Sequence, residues 1–244
     1  MYEFGIKIAN LDIKISCFYE TSRKYCENYI DLDSKEYDFE INISKNDLNY
    51  ILSLLNKGNY TEIDKQDSNL EILSIHRKIS KKLCEYGKFV IHGAAISYKN
   101  KGYLFIAPSE TGKTTHIKLW EKNLDGVCIV NGDKPIVSIE NGETYIYGSP
   151  WSGSERYNTN TKVKLDSIVI LKQSHTDRIV EINQNEFFNE ILDKVYYSDD
   201  KVKSLELVDK AFKDYKIYKL ECTMNDSAFE VAYNRLVEEE DEIK

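Results

Sequence analysis

The sequence predicts an α/β fold with α+β character. A mixed β-sheet core with flanking helices carries a phosphate loop, and a small N-terminal α+β annex precedes it. Three observations predict this. Period-two and short apolar runs alternate with helical spacings along the chain. A strand–loop–helix unit surrounds Ala107-Pro108-Ser109-Glu110-Thr111-Gly112-Lys113-Thr114-Thr115. The pattern changes after Gly87, which divides the chain into an annex, residues 1–87, and a nucleotide-binding core, residues 88–244.

In the annex, Phe4, Ile6 and Ile8 alternate with other residues, as do Ile13, Ile15 and Cys17. A turn near Asn10 makes them a hairpin. Tyr37, Phe39, Ile41 and Ile43 repeat the period of two. Ser44 and Asp47 then resemble a capping box, ahead of Leu48, Ile51, Leu52 and Leu55 at helical spacing, with Gly58 as the stop. A second helix is expected from Asn69 to Tyr86, with Ile72, Ile79 and Leu83 inward and Gly87 ending it.

In the core, Phe89–Tyr98 reads as one strand, Asn100–Gly102 as a turn and Tyr103–Ile106 as a short buried strand. The loop follows, then a helix from Lys113 to about Trp120 and an apolar run at Val127–Val130. Ile136–Ile139 and Thr144–Tyr147 flank Asn141-Gly142, a strong hairpin signal. Ser167–Leu171 is a buried strand. Helices are expected near Glu186–Tyr196 and Ala228–Glu238, with a strand at Lys216–Leu220.

Composition narrows the function. A chain of 244 residues can bury roughly 70% of the surface it exposes when unfolded. The formal net charge of -8 argues against nucleic acid or an anionic membrane as partner. An acidic protein that binds an anionic nucleotide must concentrate positive potential locally, which puts weight on Lys113 and on backbone N–H groups. No apolar run is long enough to span a bilayer, and the first residues lack a signal-peptide pattern. Cys17, Cys26, Cys84, Cys128 and Cys222 are scattered, with no CxxC pair, and read as reduced cysteines. A cytoplasmic location is the expectation.

The eight residues from Ala107 to Thr114 match G-x-x-x-x-G-K-[ST] with Ala107 in the first position, and Thr115 follows. Gly112 lets the backbone approach phosphate oxygens without a Cβ clash. Successive N–H groups and the following helix supply positive potential. Lys113 would contact the outer phosphates and the Thr114 hydroxyl would join a Mg²⁺ shell. The bland alternative is a glycine turn that only caps a helix.

Phosphoryl transfer also needs a carboxylate. Asp133 is the candidate, placed where the run Val127–Val130 ends, although Asn131-Gly132-Asp133 is also ordinary turn chemistry. Gly148-Ser-Pro-Trp-Ser-Gly-Ser-Glu155-Arg156 reads either as a surface turn or as a loop that closes over substrate, with Arg156 available for developing charge. His92, taken alone, reads as a structural strand histidine. The remaining histidines form no metal-ligand pattern.

The order of these features resembles a family. A strand His-Gly, a second strand, [AG]-x-S-x-x-G-K-[ST]-T and a strand-end Asp are similar to the HPr kinase and phosphoenolpyruvate carboxykinase-like group of P-loop proteins. The likeness is closest to small bacterial members with N-G-D-[KR]-P and Y-G-S-P-W-x-G-x-E segments, here Asn131–Pro135 and Tyr147–Glu155. It covers residues 89–172. It implies a carboxykinase-like P-loop core with His92 near the phosphates and Ser109 as the loop serine. Lys113 and Thr114 then match nucleotide and metal residues, and Asp133 the acid that assists the metal or accepts the substrate proton. Gly132-Asp133 stands where two adjacent acids are usual, so Glu155 is an additional carboxylate of interest. The Arg-Pro-Gly-containing signature of HPr kinases is absent.

The resulting expectation is an ATP- and Mg²⁺-dependent kinase acting on a serine-like hydroxyl of a small molecule or peptide. Lys113 and Arg156 would stabilise the transferring group. Two rivals stand beside it. One is an HPr-type protein serine kinase and phosphorylase, which would form oligomers. The other is a non-catalytic nucleotide sensor that meets its partner through residues 1–87. A homo-oligomer is compatible with each.

Overall fold

A computed structural model of the protein describes residues 1–31, 33–34, 36–58, 61, 65–108 and 111–238. Ser109 and Glu110 of the phosphate loop lie outside the described residues. The fold is mixed α/β, with a three-stranded sheet and a ten-stranded mixed sheet among the described residues.

Strands β1 (Tyr2–Ile8) and β2 (Leu11–Cys17) form the expected hairpin, with Ile8 opposite Leu11. Ala9 and Asn10 make its turn at φ 48° and 61°, the left-handed geometry that matches strand twist. Strand β3 (Phe39–Asn42) lies parallel to β2. Helix α1 (Glu20–Tyr25) was not foreseen, and its stabilising partner lies far along the chain. The buried Glu71 carboxylate accepts from Phe18 N at 2.6 Å, Tyr19 N at 3.0 Å and Ser22 Oγ at 2.6 Å. Those groups would otherwise be orphan donors at the helix start.

Helix α2 (Lys45–Leu55) carries the complete Ser44–Asp47 capping box. Helix α3 (Asp67–Leu83) buries Ile79 and Leu83 fully, while Ile72 is partly buried against the same core. A 3₁₀ turn follows α3 and ends at Gly87, whose φ of 68° suits glycine. One core cluster joins residues from Phe4 to Leu83 with Val90, Ile136, Tyr147 and Trp151.

The expected strand Phe89–Tyr98 is two strands. β4 (Lys88–Ile91) and β5 (Gly93–Tyr98) are separated at His92. The ladder partners decide the break. β5 pairs with β6 (Lys101–Ile106) and β7 (Cys128–Asn131), whereas β4 pairs with β8 (Ile136–Glu140). Asn141-Gly142 turns β8 into β9 (Glu143–Tyr147) as expected. β10 (Lys162–Gln173) sits centrally, antiparallel to β9 and parallel to β6 and β13 (Ile217–Cys222). Its continuous run Ile168–Leu171 is buried on both faces, as a parallel central strand requires. β11 (Arg178–Glu181) extends the sheet beyond β13.

The expected helix ending at Tyr196 is shorter. Helix α5 (Gln184–Ile191) stops, and β12 (Val195–Tyr196) pairs with β4. Helix α6 (Lys201–Phe212) was also not foreseen. Alternate residues of β6 separate two cores. Leu104 and Ile106 face Phe187 and Phe212 of α5 and α6. Tyr103 and Phe105 face Trp120 of α4 (Lys113–Asn123) and Phe229 of α7 (Asp226–Tyr233), whose end continues as a π-helical turn.

Among the described residues no helix is long and apolar enough to cross a membrane.

Candidate active site

Sheet topology gathers the predicted residues. β5 is antiparallel to β6 and to β7, so β6 and β7 run the same way. Their carboxyl ends and the amino end of β5 share one sheet edge. Ile106 lies opposite Gly93, and Ala95 opposite Asn131. His92, the loop starting at Ala107 and the segment after Asn131 therefore emerge side by side. This is the edge at which open α/β sheets place ligands.

The loop enters α4 through Gly112, held at φ 94°, where an L side chain is strained. Lys113 opens the helix and is only 7% exposed. Its ammonium donates to the carbonyls of Ala107 and Pro108, each at 3.1 Å. Among the described residues no carboxylate lies within ion-pair distance of it. Burial pushes its pKa down, and Asp133 opposes that only in part. A charged group kept in this state is stabilised by an arriving anion.

Asp133 is fixed from several sides. The Asn131 side chain accepts from Asp133 N at 2.8 Å and Lys134 N at 2.7 Å, closing an Asx turn. Gly93 N donates to the Asp133 carbonyl at 2.9 Å. His92 Nε2 lies 3.1 Å from Asp133 Oδ1, and the Lys134 ammonium pairs with Oδ2. Burial works against ionisation of Asp133, but the His92 hydrogen bond and the Lys134 charge outweigh it. The carboxyl is held well below the usual carboxylate range.

The Gly148–Arg156 loop packs on this turn. Ser149 Oγ donates to the Lys134 carbonyl at 2.6 Å, and Asn131 Nδ2 donates to the Ser149 carbonyl at 2.9 Å. A Cβ on Gly148 would stand 1.9 Å from the Thr159 carbonyl oxygen, so only glycine fits there. Gly153 adopts φ 80° directly above Asp133, where its Cβ would lie 3.4 Å from that of Asp133. Trp151 is buried in the core that contains the β1–β2 hairpin, with its ring 4.9 Å from that of His76. Burial lowers the His76 imidazole to about 3, so it packs there uncharged.

These elements enclose a cleft of about 400 Å³, lined by His92, Lys113, Thr114, Asp133, Gly153 and Glu155 among others. Gly112, Thr115 and Met224 complete one wall. Glu155 sits on the rim and pairs with Lys118 at 2.6 Å.

Arg156 does not line the cleft. Its guanidinium donates to the Tyr25 carbonyl at 3.1 Å and lies 4.7 Å from the centre of the Tyr25 ring. Lys134, which the sequence reading passed over, stands next to Asp133 within N-G-D-K-P, and that adjacency was its available signal. Met224 lies in no motif and had none.

A larger cavity of about 670 Å³ lies between β3, α3 and the start of α6. Three of its lysines are paired, Lys78 with Asp47, Lys82 with Glu85 and Lys81 with Asp199, and Lys203 also lines it. The smaller cleft holds the buried Lys113, for which the described residues offer no carboxylate partner, and the fixed acid Asp133.

For a magnesium ion, the described residues offer no group of three or more His, Cys, Asp or Glu side chains. The Thr114 hydroxyl and the Asp133 carboxylate do face the same cleft. That pair suits Mg²⁺, which takes one or two protein oxygens and completes its shell with phosphate and water.

No family model matches the chain, and no curated protein matches it. Among solved structures, the Hpr(Ser) kinase/phosphatase from Coxiella burnetii is similar at a TM-score of 0.35 and 11% identity. The match covers 62% of this chain and 98% of that one. A likeness of this size assigns neither activity nor residues, which rest on the cleft itself.

Proposed function

We propose that the protein is an ATP-dependent kinase that transfers a phosphoryl group to a serine-like hydroxyl of a small molecule or peptide. The observation that carries the reading is one cleft holding a buried lysine, with no carboxylate partner among the described residues, and a strand-end aspartate kept ionised. Lys113 and the N–H groups at the start of α4 would hold the terminal phosphates. Asp133, oriented by His92, would accept the proton of the acceptor hydroxyl. That oxygen then bonds to the γ-phosphorus as the bond to the bridging oxygen breaks, and the nucleoside diphosphate leaves. Thr114 and Asp133 would hold Mg²⁺, which neutralises charge on the phosphates.

One observation favours a second reading. Both Asp133 oxygens already have partners, and Gly132 supplies no second acid. A nucleotide sensor without turnover would tolerate that arrangement. The two readings separate in one experiment. The protein is incubated with ATP and Mg²⁺ against serine, small polyols, peptides and HPr, and products are sought by mass spectrometry. A phosphorylated product that disappears in Asp133→Asn supports the kinase. Tight ATP binding with no product from any acceptor supports the sensor. Labelling of HPr alone would assign the HPr-type activity instead.

A further inference from the structure

Met224 occupies an unusual position. It is 57% exposed and lies in the loop between β13 and α7, yet that loop is firmly held. Asp177 Oδ1 accepts from Thr223 N at 2.6 Å, while Oδ2 accepts from Thr223 Oγ1 at 3.2 Å and Ser227 Oγ at 2.6 Å. The clamp sets Met224 over the phosphate loop. A Cβ built on Gly112 would lie 3.5 Å from Met224 Cε. Single exposed apolar side chains need no explanation in general. Among the described large exposed apolar residues, however, Met224 is the one that lines the cleft.

The cleft lining falls into two groups: His92 and Asp133 lie 3.1 Å apart, and a Cβ on Gly112 would lie 3.5 Å from Met224 Cε and 4.0 Å from Thr115 Cβ. A phosphate chain laid along the loop from Lys113 leaves past Thr115. The group attached to its inner phosphate then meets a soft, polarisable thioether. Such a side chain makes favourable contacts with an aromatic ring. We propose that Met224 is the platform on which the nucleobase of the bound nucleotide packs, and that Asp177 is the positioning residue that presents it. The inference rests on the proposed phosphate site.

The test is calorimetric titration of the full chain with ATP and with inorganic tripolyphosphate, both with Mg²⁺. In Met224→Ala, ATP binding is expected to weaken about five-fold, with tripolyphosphate affinity unchanged within about two-fold. Met224→Leu, similar in volume, restores most of the ATP affinity. Asp177→Ala shows the same split between the two ligands. Equal weakening of both ligands in Met224→Ala, or of neither, overturns the inference. So does a wild-type protein that binds tripolyphosphate as tightly as ATP, which leaves the phosphate site standing. A wild-type protein that binds neither ligand overturns the phosphate site and the inference with it.

Discussion

Asp133→Asn isolates the charge at the centre of the cleft. The change keeps side-chain size, so packing under Gly153 is preserved. It removes the counterion of Lys134 and one of the two acceptors used by His92 and Lys134. The three side chains are about one-fifth exposed, at 19%, 20% and 22% for Asp133, His92 and Lys134. Exposed ion pairs contribute about 0–1 kcal/mol, and breaking a buried pair costs about 3–5 kcal/mol. An intermediate site should therefore lose about 2 kcal/mol, or about 4–8 °C in Tm for a chain of this length. Turnover should fall by about 10²–10⁴ with loss of the general base.

The pH dependence has a definite sign. The Asp133 pKa is lower in the folded protein, so its contribution is fully present above the unfolded value of about 3.9. The contribution is lost as pH falls below that value, through the folded pKa. Thermal unfolding of both proteins at pH 7, about 5.5 and about 3 should give a Tm difference that is the same at the first two and smaller at the third. A Tm difference under about 1 °C with unchanged turnover would refute the role of this carboxylate.

Three further substitutions probe close contacts of the fold. Gly148→Ala drives a Cβ into the Thr159 carbonyl and should destabilise by more than about 3 kcal/mol, read by urea unfolding; a change below about 1 kcal/mol would contradict the close approach. Glu71→Leu leaves three donors at the start of α1 without their acceptor, and should cost about 3 kcal/mol or more, with early loss of amide protection at Phe18 and Tyr19 in hydrogen exchange. Arg156→Ala should lower kcat less than about ten-fold, because the guanidinium is seated on Tyr25; a loss of about 10³ would show that it swings into the cleft during turnover.

Much of the site's scaffold was legible because its signals are local. The strand before Ala107, Gly112 and the amphipathic run after Lys113 mark a strand–loop–helix within about twenty residues. The Asn141-Gly142 turn and the Ser44–Asp47 capping box are equally local. The break at His92 is different. Phe89–Ile96 is apolar on both sides of it, and only the pairing of β4 with β8, against β5 with β6, divides the run. Helix α1 depends on Glu71, which is distant in sequence. Helix α6 buries Val208 and Phe212 but also Ser204, while exposing Val202 and Leu205, so its apolar positions do not mark one clean face. The direction of Arg156 and the place of Met224 are set by tertiary contacts, which no spacing encodes.

The central claim is that Lys113 and its loop form a triphosphate site. It is tested most directly by titrating ATP and Mg²⁺ into the wild-type protein and Lys113→Ala. The variant should keep its fold, since it removes a buried charge that has no carboxylate partner among the described residues, and should bind ATP about a hundred-fold more weakly. Equal ATP affinity in the two proteins, or no binding by either, would contradict the account.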